Sequence, residues 1–492
     1  MTAEQGAMES GPGLAVRTAF GIGAMSAGVL IQALSTLALL FYNQVIGMSP
    51  AAVGLALMIS LVFDAFWDPA IGLWSDNTRS RIGRRHPFMY AAIIPTGVAF
   101  WLLWSPPEGL SEGGNFTWLL GALLAVRFFS SLYEVPSTAL APELAPGYNA
   151  RTGLLGLRYF WGVLGGVLTS VLAFQIFLSE RNGGLTSREG FAANGMAGAV
   201  IICVTLLVSC LGTHREAVRF TPPPAASRRP AALLAEVWSA VTNRNFAAIM
   251  ISALFAGTAS GLTAGLTMYF NLYFWGLSTD DLTLLTMAGL VASVVGVFLA
   301  PAVTRRWGKK QVALALFGLS VFTAVLPMTL RLLGVLPGND WPGLLPLLFV
   351  ETLIAATMSL MVMIIVTSML ADVVEDNAVR TGHRSEGLFF AANSILAKSV
   401  TGVGTLGSGL MLMAVDFPSH ASPGQVSQEM IHALGFIYLP VALTLSTLSL
   451  VALVYFRIDQ AKHEENLSLL RSAALADEAT IEAHAPVGDR QT

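Results

Sequence analysis

Apolar residues in this chain fall in long unbroken runs rather than in alternation with polar ones. A helix that crosses the hydrocarbon core needs about 20 mostly apolar residues. Twelve stretches reach that length, near 18–43, 51–77, 88–106, 117–141, 153–179, 192–212, 246–275, 280–303, 312–335, 344–371, 387–415 and 431–457. A transmembrane barrel would show strands of about ten residues with alternating polarity, so these runs exclude one. The pattern predicts an all-α polytopic membrane protein of twelve transmembrane helices.

The polar segments between the runs set the organisation. One set of loops carries Arg17, then Arg79, Arg81, Arg84 and Arg85, then Arg151, then Arg215, Arg219, Arg228, Arg229 and Arg244. The same side later carries Arg305, Arg306, Lys309 and Lys310, then Arg380 and Arg384, and finally Arg457, Lys462, Arg471 and Arg490. The opposite loops hold Arg181 and Arg188. This bias predicts both termini on the cytoplasmic face of the inner cell membrane. The loop at 213–245 contains Pro222-Pro223-Pro224 and Arg228-Arg229-Pro230, a stiff polar linker. Leu233, Leu234, Val237, Trp238 and Val241 follow it at helical spacing and predict a short interfacial helix. The linker separates two six-helix halves, 1–212 and 246–457, with a cytoplasmic tail at 458–492. Gly83-Arg84-Arg85 after the second run and Gly308-Lys309-Lys310 after the eighth mark an internal repeat. Two parallel halves joined by a cytoplasmic loop describe the major facilitator architecture.

Composition narrows the function. Hydrophobic residues make up 54% of the chain and charged residues 12%, against about 25% charge in soluble domains. That shortfall excludes a cytosolic enzyme and a disordered scaffold, and a net charge of −3 gives no reason to expect a nucleic-acid partner. Cys203 and Cys210 stand two helical turns apart, too far for a disulfide, and read as packing residues. Residues 1–17 are polar and small, which is not the pattern of a cleavable signal peptide. The seven His are scattered without metal-ligand spacing, and no phosphate-cradling Gly-Lys loop is present. Neither an integral-membrane enzyme nor ATP-driven transport is expected, and a non-transporting receptor has no need of paired acids at membrane depth.

Ionisable residues at membrane depth are costly unless buried and paired, so they mark function. Seven qualify: Asp64, Asp68, Arg127, Glu134, Arg158, Glu351 and Lys398. Asp64 and Asp68 lie four apart on one helix face, where a cation or a proton between them, or a neighbouring Arg that locks them as a structural pair, offsets their repulsion. Carboxylate and hydroxyl oxygens suit a hard monovalent cation. Glu134 precedes Pro136, which frees a backbone carbonyl one turn back. Lys398 has no acid within a turn of it, so its partner must come from another helix, with the second-run acids or Glu134 as candidates. Arg158 and Trp161 share a face and can hold a polar ligand with a stackable side. At the inner side, Asp76, Arg84, Arg85, Asp372, Glu375, Arg384 and Glu386 are candidates for ion pairs that shut a cytoplasmic gate.

Asp64-Ala65-Phe66-Trp67-Asp68-Pro69, followed by Arg79-Ser80-Arg81-Ile82-Gly83-Arg84-Arg85-His86-Pro87-Phe88, resembles the glycoside–pentoside–hexuronide:cation symporters of the major facilitator superfamily. Ala371-Asp372-Val373-Val374-Glu375-Asp376 with Thr381-Gly382-His383-Arg384-Ser385-Glu386-Gly387 is a second match in the other half. The resemblance implies alternating access with a sugar and a coupling cation (sodium, proton or lithium) bound between the halves, and no resident cofactor. It implies a cation site at Asp64, Asp68, Glu134 and Ser131, a coupling lysine at Lys398, and a sugar-binding arginine at Arg158. Trp161, Asn393 and Tyr269 are further substrate-binding candidates. The sugar-gripping acid and stacking indole of galactoside carriers fall at Ser26 and Thr138, so a different glycoside, a uronide or a less sugar-like solute is expected. Animal relatives carry lysophospholipids, which leaves an amphiphile as the alternative. The partners expected are a small-molecule solute and the lipid bilayer, and the functional unit is expected to be a monomer.

Overall fold

The computed structural model describes residues 12–145, 148–219, 242–381, 386–421, 424–466, 468–469 and 472. Among them are twelve helices long and apolar enough to span a membrane. They are α1 (Leu14–Val45), α2 (Pro50–Asn77), α3 (His86–Leu103), α4 (Glu112–Leu144), α5 (Ala150–Phe177) and α6 (Arg188–Glu216), then α7 (Arg244–Phe274), α8 (Thr279–Trp307), α9 (Lys309–Leu332), α10 (Leu344–Arg380), α11 (Phe389–Ala414) and α12 (Gln428–Val454). An even number of crossings returns the chain to the side on which it began. The interfacial helix expected after the linker falls within 220–241, outside the described residues, as does most of the tail; residues 460–466 form a short helix.

Several helices run past the apolar stretches that announced them. The fourth begins at Glu112 rather than 117, and the tenth continues to Arg380 rather than stopping at 371. Charged residues end a hydrocarbon span but not a helix, and an acid in the first turn or a base in the last complements the helix dipole. Local caps fix the starts of α4 and α8, on the side opposite the termini. Ser111 Oγ accepts from Gly114 N at the head of α4, and Ser278 with Asp281 forms a capping box at the head of α8.

The internal repeat is visible in the backbone. Gly83, before α3, and Gly308, before α9, hold φ at +87° and +78°, a left-handed turn that needs no Cβ. The halves meet along α2 and α11, α5 and α8, and α1 and α7. Small residues permit the close crossing of α2 and α11: a Cβ on Gly409 would lie 2.2 Å from the Pro50 carbonyl oxygen. At the side opposite the termini these seams are hydrogen-bonded. Tyr269 OH donates to Asn43 Oδ1 at 2.8 Å, Gln44 bonds Pro418 and Ala421 backbone atoms at 3.0 and 2.9 Å, and Gln175 reaches Asp280 and Thr283 at 2.9 and 2.8 Å. The outer ends of α1, α5 and α7 carry π-turns at Phe41–Val45, Ala173–Phe177 and Phe270–Phe274 beside these contacts.

Candidate functional site

A cavity of about 990 Å³ lies between the halves. Its wall takes Gln32 from α1, Glu134 from α4 and Arg158 from α5, and across from them Thr263, Asn271 and Trp275 of α7 and Glu351 of α10.

Two charge clusters are built around acids of the N-terminal half. In the first, Lys398 Nζ on α11 donates to Asp64 Oδ2 at 2.7 Å and also to Asp68 Oδ2. Ser131 Oγ on α4 donates to Asp64 Oδ1 at 2.8 Å, and Arg127 Nη1 approaches Asp64 Oδ2 at 3.8 Å. The spacing explains the convergence. Asp64 and Asp68 are one turn apart on α2, and Arg127 and Ser131 are one turn apart on α4, so two facing helix edges meet. Asp64 is nearly buried, while Lys398 keeps 29% of its side chain exposed. At membrane depth this is the ion contact between the halves among the described residues.

In the second cluster, Arg158 Nη2 donates to Glu134 Oε1 at 2.6 Å, Arg158 Nη1 donates to Ser137 Oγ at 2.9 Å, and the guanidinium lies 5.1 Å from the Phe20 ring centroid. Expected with the second-helix acids, Glu134 is instead engaged by Arg158, one turn along α4 from Ser131. Its side chain is 40% exposed and faces the cavity.

Other candidates are placed elsewhere. Ser26 is buried and its hydroxyl donates to Gly23 O at 2.7 Å within α1. Thr138 is exposed, and neither residue lines the cavity. Tyr269 is consumed in the outer seam by Asn43. Trp161 packs edge-on against Gly21, with its Nε1 buried and unpartnered. Asn393 is half-buried on α11. Glu351, singled out at membrane depth without a role, lines the cavity one turn apart from Ala355 and two from Ser359, whose hydroxyl meets Ser320 at 2.8 Å.

Among the described residues, the charges at the side of the termini pair within each half. Arg84 bonds Glu143, and Arg85 Nη2 lies 3.1 Å from Glu143 Oε1 and 3.4 Å from Asp76 Oδ1. Burial pulls the Arg85 guanidinium below its usual range, and Glu143 opposes that pull. In the other half, Lys309 Nζ holds both Asp372 oxygens at 2.6 and 2.8 Å, and His463 Nδ1 approaches Asp372 at 3.4 Å and Glu375 at 3.1 Å. Arg384 and the Glu386 side chain lie outside the described residues. Sequence reasoning passed over Glu143; the signal was an acid in Ala141-Pro142-Glu143, at the inner end of α4 where unpaired arginines had already been counted.

Twelve spanning helices in two joined sets, with charged pairs beside a cavity between them, define a membrane transporter of the major facilitator type. Residues 19–460 match the model of the MFS/sugar transport protein family, and the chain belongs to that family. It is 25% identical to the isoprimeverose transporter of Lactiplantibacillus pentosus over 90% of this chain and 88% of that one. It is 22% identical to the putative glycoside/cation symporter YagG of Escherichia coli over 94% and 96% of the two chains. Among solved structures, the xylose transporter XylE from E. coli shares the fold with a TM-score of 0.59 at 13% identity, covering 91% of this chain and 98% of that one.

Proposed function

We propose that the protein is a secondary active symporter that carries a sugar or glycoside-like solute across the inner membrane by alternating access, with both termini cytoplasmic. The observation that carries this reading is a cavity walled by both halves, with the Arg158–Glu134 pair on one side and hydroxyls on the other. A sugar needs many donors and acceptors at once. Arg158 supplies fixed N–H groups and Glu134 an acceptor, Thr263, Ser320 and Ser359 supply hydroxyls, and Trp275 offers an aromatic face. The names of the isoprimeverose and glycoside/cation relatives support the same class of solute.

We assign coupling to Lys398. The acids that hold it sit on α2 and the lysine on α11, the two helices that meet across the halves. Neutralising either carboxylate loosens the hold on Lys398 and so links charge at the cluster to the relative position of the halves. Arg84 and Arg85, held here by Asp76 and Glu143 of their own half, are the bases that close the inner mouth when released.

The test is a thermal-shift and counterflow screen of the purified protein against neutral sugars, glycosides, uronides and lysophospholipids at pH 5.5 and 7.5. Saturable stabilisation by a neutral sugar or glycoside is expected. A response confined to lysophospholipids would replace the sugar with an amphiphile.

A further inference from the structure

The cluster around Lys398 holds an unusual charge balance for a site that is expected to take a metal cation. Its carboxylates are Asp64 and Asp68, its fixed cations are Lys398 and Arg127, and all four come from α2, α4 and α11. Two negative charges thus face two positive ones. The neighbouring Glu134–Arg158 pair adds no net charge. A bound metal cation would leave the cluster with an uncompensated positive charge at membrane depth, the situation that intramembrane sites avoid.

The oxygens are spoken for as well. Asp64 Oδ1 accepts from Ser131, and Asp64 Oδ2 faces both Lys398 and Arg127. Asp68 Oδ2 accepts from Lys398. Among the described residues, the carboxylate oxygen left over is Asp68 Oδ1, which is buried without a hydrogen-bond partner. A hard cation needs several oxygens at once, so the donor set as arranged does not fit sodium or lithium. Lys398 could leave by giving up its proton or swinging away. Arg127 lacks the first of these exits, because a guanidinium keeps its charge in proteins.

We propose that Arg127 stands in for the coupling metal ion: its guanidinium beside Asp64 makes the Asp64–Asp68–Lys398 cluster electrically complete and excludes sodium and lithium, so that the cluster changes its charge by protons alone. This rests on the reading that the cluster is the coupling site. It departs from the sodium or lithium that the family resemblance allows.

The test measures unfolding temperature of the purified full-length protein in choline, sodium and lithium chlorides at equal ionic strength, alongside binding of radioactive sodium. The wild type should show the same unfolding temperature in all three salts and no sodium bound above background. Arg127→Gln, which leaves one net negative charge among Asp64, Asp68 and Lys398, should gain a saturable rise in sodium or lithium and measurable sodium binding. Sodium binding by the wild type overturns the proposal whatever the variants do. A folded Arg127→Gln that gains no sodium response also overturns it, and Arg127→Met serves in its place if the glutamine variant does not fold. A solute screen run in choline separates the two readings: if no sugar binds while the sodium pattern holds, the solute assignment falls and the role of Arg127 stands.

Discussion

The two halves of the molecule agree at their inner edges and part company at membrane depth. In each, a left-handed glycine precedes the third helix, at Gly83 and Gly308, and a base just behind it meets an acid from the end of the fourth: Arg84 and Arg85 with Glu143, Lys309 with Asp372. In the middle of the bilayer the resemblance stops. The N-terminal half contributes Asp64, Asp68, Arg127, Glu134 and Arg158, whereas the C-terminal half contributes Glu351 and Lys398, and its other polar side chains on the cavity wall are mostly hydroxyls set among apolar residues. The edges repeat because each half must turn its chain between two helices in the same way. The centres are free of that constraint, so what differs between them is what the transporter does. Most of the charge sits in one half and most of the hydroxyls in the other, and Lys398 is the point where the second half reaches into the charge of the first.

Breaking that reach should have the largest effect. Lys398→Ala leaves Asp64 and Asp68 facing each other with Arg127 alone to offset them. Removing one partner of a buried ion pair costs about 3–5 kcal/mol, and the partial exposure of Lys398 places the loss at the lower end. Adding Asp68→Asn to Lys398→Ala should return part of the lost stability, because the repulsion goes with the acid. Thermal unfolding of the single and double variants reads this directly. Additive losses would mean that the lysine and the acid do not act on each other.

Asp68→Asn alone should do something different. It keeps side-chain volume and one oxygen but deletes the charge that a coupling proton would neutralise. Solute affinity should then lose its dependence on pH between 5.5 and 7.5, as reciprocal linkage requires once the ion's site is gone. Uphill accumulation should vanish while solute exchange survives. A variant that retains the wild-type pH response would make Asp68 structural.

The contrast between the cavity walls can be sharpened by paired substitutions. Arg158→Met removes charge-assisted bonds of about 1.5–3 kcal/mol each, a drop in solute affinity of roughly 10-fold to 150-fold. Arg158→Lys should restore little, since a single ammonium cannot hold Glu134 and Ser137 as the planar guanidinium does. On the other wall, Glu351→Gln keeps an acceptor and should cost about 0.5–1.5 kcal/mol, as for one ordinary hydrogen bond. Equal losses on both walls, measured by solute titration of the purified variants, would remove the asymmetry.

Much of this was legible in the chain itself. Twelve apolar runs became twelve helices, because burial in lipid leaves a backbone no other way to satisfy its polar groups. That Lys398 needs an acid from another helix followed from its isolation in sequence, and Asp64 and Asp68 proved to be that partner. The engagement of Glu134 by Arg158 was not legible, although both residues stood out. They are 24 apart on adjacent antiparallel helices, and nothing in the spacing of either helix fixes which faces meet. The same gap explains Ser26, whose hydroxyl turns back onto its own helix, and Thr138, which is exposed but does not line the cavity. Hydrophobicity reveals that a residue is in the membrane; which way it looks is decided by packing.

The inner edges supply the smallest and most discriminating test. In the present arrangement the outer ends are bonded together and the inner bases are held by acids of their own half. Freed from those acids, the bases could reach across to the opposite half and favour closure of the inner mouth. Glu143→Gln loosens two arginines, Arg85 nearly buried and Arg84 partly so, whereas Asp372→Asn releases one lysine that is a third exposed. Exposed pairs contribute about 0–1 kcal/mol each, so Asp372→Asn should change the open population by no more than about 5-fold and Glu143→Gln by somewhat more. The measurement is the labelling rate of a cysteine placed at Ser293 on the cavity wall, in a background with Cys203 and Cys210 replaced. Both substitutions should slow labelling, Glu143→Gln the more. Faster labelling, or the opposite order, would show that these pairs fasten the loops of each half and take no part in closing the mouth between them.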